Sequence, residues 1–205
     1  VKNSFQGEEG LVPKASTTDR ADRFNELSRR RTVPLADLAG QAEEIARICR
    51  RMAARFRAGG KLVVFGNGGP STDAQHVAVE FVHPVIVGKR ALPALSLAAD
   101  VATLTGVAAR AGFAETFAHS LRCLGEPGDI ALGLSADGSC PNVARGLEVA
   151  RELGMLTIAL SGGAGRPVAD HVLVVRSSDP LVVKEVHVTA YHLLWELTHV
   201  FLEAA

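Results

Sequence analysis

Cysteine is scarce in this sequence, and a surplus of either charge is missing altogether. The three cysteines, Cys49, Cys123 and Cys140, are odd in number, far apart and in no CxxC pair. That argues against a disulfide framework and against a cysteine zinc site, and it favours a reducing cytoplasm. Lysine and arginine total 22, as do aspartate and glutamate, so the formal net charge is zero. Binders of nucleic acid or of anionic membranes usually carry a basic excess, so neither partner is expected, although a local basic patch remains compatible with the balance. No apolar run reaches the roughly 18–20 residues that a membrane span requires. The stretch VKNSFQGEEGLVPK at residues 1–14 lacks the apolar core of a signal peptide. What remains is an ordinary globular composition, 47% apolar and 21% charged over 205 residues, which suits one domain with a sizeable core.

Residues 1–17 are polar and without period, and read as a flexible tail. A first helix is expected from Thr18 to Arg31. A second should begin at Pro34 and end at Gly59-Gly60, because proline is tolerated in a first helical turn and glycine ends helices. Leu35, Leu38, Ala42, Ile45, Cys49, Met52 and Phe56 form an apolar stripe along it. At this near-heptad spacing the stripe can pack on its own domain or on a second subunit. Residues 18–60 are therefore expected to be an oligomerising helical extension, ahead of an α/β domain over 61–205.

From Lys61 the pattern alternates. Short apolar runs KLVVF (61–65), PALSL (93–97), DIALGLS (129–135), MLTIALS (155–161) and HVLVV (171–175) are separated by helix-like segments over 72–82, 100–108, 113–123 and 141–153, and a long one follows over 180–203. Apolar strands alternating with helices imply a doubly wound α/β fold, here a five-stranded parallel sheet covered on both faces. In such sheets ligands bind beyond the carboxyl ends of the strands. The first strand runs into Gly66-Asn67-Gly68-Gly69-Pro70-Ser71, and the third into Ser135-Ala136-Asp137-Gly138-Ser139-Cys140-Pro141-Asn142. Both are small-residue loops that open helices, able to admit a ligand or simply to make a tight turn. His76 and Glu80 stand four apart on one helical face, and Lys184, His187, His192 and His199 lie on the last helix.

Taken together, GNGGxSxDAxHxAxE (66–80), GLSADGSCPNV (133–143) and KEVHVTAYH (184–192) resemble the sugar isomerase (SIS) fold family, flavodoxin-like in architecture. Within it the likeness is to the bacterial phosphoheptose isomerases, from about Gln41 to Glu203. The resemblance implies aldose–ketose isomerisation of sedoheptulose 7-phosphate through an enediol, with Glu80 as the base between C1 and C2 and His192 as its acid/base partner. It places Asn67, Gly68, Ser71, Ser135, Asp137, Ser139, Asn142, Arg110 and Lys184 about the substrate. It also implies a homotetramer with shared active sites, and in many members zinc on residues matching His76, Glu80, Lys184 and His192.

The departures fall in the substrate-binding parts. Pro70 stands where the family has a phosphate-touching serine, and Ala136 and Cys140 replace two hydroxyls. Asp137 brings a carboxylate, which about 4 Å from a dianionic phosphate costs on the order of several kcal/mol. Pro84 replaces an arginine, Arg110 an aspartate, and Lys184 a glutamine. An ammonium does not ligate zinc, so Lys184 is expected to take the metal's place beside Glu80, with no tight zinc site and no cofactor required. Three readings stand open: a sugar-phosphate isomerase, a non-catalytic SIS-domain protein that binds a sugar phosphate or a protein, and an isomerase of an unphosphorylated or otherwise charged sugar.

Overall fold

The computed structural model describes residues 17–163, 165 and 167–204. The tail expected over 1–17 lies outside them, apart from Thr17 at the start of the first helix. That helix, α1 (Thr17–Ala39), is longer than expected and runs through Pro34, whose ring is buried. The break falls instead at Gly40-Gln41, before α2 (Ala42–Arg57). A reason for the break lies in the contacts of Gln41. Its side-chain amide donates to the Val174 carbonyl at 3.0 Å and accepts from the Val174 N–H at 3.2 Å, occupying backbone groups that an edge strand would leave open. Beside it Glu44 Oε1 lies 2.6 Å from Nδ1 of His171.

The five strands are β1 (Leu62–Gly66), β2 (Ala94–Ser96), β3 (Ile130–Ser135), β4 (Leu156–Gly162) and β5 (His171–Val175). All neighbours are parallel, in the order β2-β1-β3-β4-β5. The helices between and after them are α3 (Gly69–Val82), α4 (Val101–Ala111), α5 (Thr116–Leu124), α6 (Pro141–Glu152) and α7 (Pro180–Glu203), with a 3₁₀ turn over Phe113–Glu115. The expected strands and helices are all present, most within two residues of their expected ends.

Successive strand residues point to opposite faces, and each face has its own core. Leu62, Val64, Leu132, Ile158 and Leu160 pack with α2, α3 and α7; Val63, Phe65, Ala131 and Ala159 pack with α5 and α6. The second-helix stripe resolves accordingly. Ile45, Cys49, Met52 and Phe56 are buried within this chain, where α2 lies against α7, whereas Leu35 and Ala42 are exposed. Burial also pushes the Cys49 thiol up to about 11. It is thus a packed apolar group and not a reactive one.

The chain passes from β1 outward to β2 and then returns to β3 on the other side of β1. The crevice between the carboxyl ends of β1 and β3 is therefore the topological switch point, where an open α/β sheet receives its ligand. Gly66 ends β1 there because a Cβ would meet the Leu134 carbonyl and the Pro70 ring, each at 2.8 Å.

Candidate active site

Two loops meet at the switch point. Asn67 and Asn142 exchange side-chain amide hydrogen bonds across it, at 2.6 Å and 3.0 Å, and Asn142 donates also to the Thr116 hydroxyl at 3.1 Å. Asn142 is fully buried and its amide is spent on this clamp. Gly68, with φ of 63°, turns the chain into α3, and the Ser71 hydroxyl donates to the Gly68 carbonyl at 2.7 Å. Pro70 fits the first turn of α3, where a backbone N–H has no helical partner. The substitution removes a donor that an anion at this helix start would otherwise receive.

The β3–α6 loop is organised about Asp137. Its Oδ1 accepts from the Ser135 hydroxyl at 3.2 Å and from the Ser139 N–H at 2.9 Å, and its Oδ2 accepts from the Ser139 hydroxyl at 2.7 Å. Those bonds, the Ser139 hydroxyl first, hold its carboxyl below the usual range. An acceptor already sits on the donors that this loop offers.

A second cluster lies between α3 and α7. Stripes on the two helices face each other: Asp73, His76 and Glu80 on α3, and Lys184, His187, Tyr191 and His192 on α7. Lys184 Nζ donates to Asp73 Oδ1 at 2.6 Å, with Gly69 O at 3.3 Å and Thr72 Oγ1 at 3.4 Å. Asp73 is buried, and the ammonium balances its charge. Seven residues of helix, about 10 Å along the axis, separate Asp73 from Glu80. Lys184 therefore does not stand in a metal's place beside Glu80, as the sequence led us to expect; a buried carboxylate nearer the helix start holds it.

Further along, the imidazole of His76 is held from both sides, with Tyr191 Oη 2.9 Å from Nδ1 and Glu80 Oε1 3.2 Å from Nε2. The His192 ring meets the His76 ring edge-on, centroids 5.2 Å apart. Trp195 Nε1 donates to the Glu80 carbonyl at 2.8 Å. One ligand-type atom from each of His76, Glu80 and His192 lies within 4.8 Å of the others. This His₂Glu set fits a divalent metal with a fourth position left open. His187 is buried, which lowers it to about 4, so it is neutral near pH 7. Tyr191 and Trp195 were not singled out as site residues from sequence. Only their polar ends, aimed at His76 and Glu80, distinguish them from ordinary packed aromatics.

Of the expected site residues, the structure brings together His76, Glu80 and His192 at the helices, and Asn67, Gly68, Ser71, Asn142, Ser135, Asp137 and Ser139 at the loops. Lys184 lies between the two groups. Arg110 is exposed on α4, in a groove with Thr103, Val107 and His119, and in neither group. Within one chain the groups are well separated, since Glu80 stands eleven residues, about 16 Å of helix axis, beyond Gly69.

A parallel sheet of this order, with a glycine-rich turn at its switch point and a carboxylate set among imidazoles, defines an α/β domain for a small polar ligand and for proton transfer. The chain belongs to the SIS domain family, whose sequence profile matches residues 32–162. It is 44% identical over 168 residues to a phosphoheptose isomerase of Desulfovibrio desulfuricans, covering 80% of each chain. The solved structure of a phosphoheptose isomerase from Francisella tularensis superimposes with a TM-score of 0.81 at 29% identity, over 91% of this chain and all of the other. That of Neisseria gonorrhoeae gives 0.78 at 26% identity, over 89% and 98%.

Proposed function

We propose that this chain is an aldose–ketose isomerase of sugar phosphates, interconverting sedoheptulose 7-phosphate and glycero-manno-heptose 7-phosphate. The observation that carries the reading is the juxtaposition of Glu80 and His192 within 4.8 Å, added to the likeness to phosphoheptose isomerases over most of the chain. An enediol route needs a base at carbon and an acid at the adjacent oxygen, and two groups this close can address neighbouring atoms of one substrate. Glu80, mostly enclosed between α3 and α7, takes the proton from one carbon and returns it to the next; His192 serves the oxygens. A zinc ion on His76, Glu80 and His192 would act as a Lewis acid at those oxygens.

The test is turnover of sedoheptulose 7-phosphate by the purified protein, with and without added zinc, beside Glu80→Gln. Turnover that falls at least 100-fold in the variant is expected, within the range for loss of a general base. A folded protein with no turnover sinks the reading.

A second reading, isomerisation of an unphosphorylated or otherwise charged sugar, is favoured by one specific observation: Asp137 already occupies the Ser135 and Ser139 donors. Turnover of a sugar lacking phosphate separates the two. Under either reading the working form is a homotetramer in the cytoplasm. The length of α3 between the Gly68 turn and Glu80 supports a site to which a neighbouring subunit contributes, since one subunit's loop and another's helix pair can then meet at shorter range.

A further inference from the structure

The His76 ring has a definite partner at each nitrogen, and these two partners fix where its proton resides. A carboxylate oxygen only accepts, so the Glu80 Oε1 contact at 3.2 Å places the proton of a neutral ring on Nε2. Nδ1 is then a bare lone pair in need of a donor, and the Tyr191 hydroxyl lies 2.9 Å from it. The ring plane is constrained as well, by edge contacts with Tyr191 at 5.5 Å and with His192 at 5.2 Å between centroids.

We propose that Tyr191 is a positioning residue for His76: Glu80 selects the Nε2–H tautomer, and the Tyr191 hydroxyl, bonded at Nδ1, holds the ring so that Nε2–H stays on Glu80 and aims that carboxylate at the substrate carbon. The same hydroxyl accepts from Nδ1–H when the Nε2 lone pair turns to a metal, so Tyr191 supports either form of the ring. Phenylalanine supports neither. Buried outer partners of this kind govern which nitrogen of a histidine is presented and how strongly it binds. The kinetic part of the proposal rests on Glu80 being the base; the tautomer does not.

Long-range ¹H–¹⁵N spectra of the metal-free full-length chain, with His76 assigned from a His76→Gln variant, read the tautomer directly. The wild-type ring is expected in the Nε2–H form. Tyr191→Phe, which removes one oxygen and keeps the ring volume, is expected to keep the Nε2–H form but to shift the His76 Nδ1 resonance, because that lone pair loses its donor. It should also lower kcat about tenfold with KM within about twofold, and weaken zinc binding about 10–100-fold, the range for loss of an outer partner of a metal-binding histidine. An Nδ1–H ring in the wild type overturns the proposal without any variant, as does a Tyr191→Phe protein whose His76 spectrum and zinc affinity match the wild type. Should the wild type turn over no heptose phosphate, the spectra and the zinc titration still decide.

Discussion

Asp137 shows how one side chain can redirect a binding loop without disturbing its fold. The turn after β3 is satisfied internally because the carboxylate collects two hydroxyls and a backbone N–H. Charge-assisted bonds of this kind are stronger than neutral ones, so an incoming phosphate has to displace a well-bonded anion as well as face its charge. Asp137→Ser is therefore expected to lower KM for sedoheptulose 7-phosphate about tenfold with kcat changed less than twofold, measured by steady-state kinetics. An unchanged KM would mean that the loop does not meet the phosphate. The sequence revealed this conflict of charge but not its resolution. The carboxylate's direction depends on two serines and a local turn, and spacing alone does not encode that. Lys184 teaches the reverse lesson. Its replacement of glutamine was legible, but its partner Asp73, 111 positions away in the chain, became visible only once α3 and α7 were packed.

At the level of elements, the strands were the most legible part, because a sheet buried on both faces demands continuous apolar runs such as KLVVF and MLTIALS. Helix ends were less so. Pro34 reads as a helix start, yet the chain continues through it and breaks where Gln41 meets β5; that contact is long-range and leaves no local signature. The turn between β1 and α3 and the turn between β3 and α6 are tied by the Asn67–Asn142 pair. Asn142→Ala would leave the Asn67 amide without its partner and take from the buried Thr116 hydroxyl one of its two bonds, the other being to the Phe113 carbonyl at 2.9 Å. It is expected to cost about 1–3 kcal/mol, as unsatisfied buried groups do, and to lower the chemical-denaturation midpoint without changing its slope. A variant as stable as the wild type would show that water replaces the clamp at no cost.

At the scale of the whole molecule, the conspicuous feature is apolar surface left over after the two cores are filled. Val79, Val82, Val85, Ile86 and Val87 are exposed in succession over the last turns of α3 and the segment after it, Val87 completely, and the stretch adjoins Glu80. Exposed apolar runs of this kind mark interaction surfaces. Sedimentation is expected to give a four-subunit mass, and Val85→Asp combined with Val87→Asp to shift it toward smaller species with loss of turnover. A fully active monomer would remove the case for a shared site.

The separation of Glu80 and His192 from the Ser135–Cys140 turn has a practical consequence for redesign. The pair proposed for proton transfer stands on two long helices locked into the core, while the turn is short and lies at the surface. A library confined to residues 136–140, with Gly138 kept for its φ of 73°, can therefore be searched for new sugar preferences while the reaction itself is left alone.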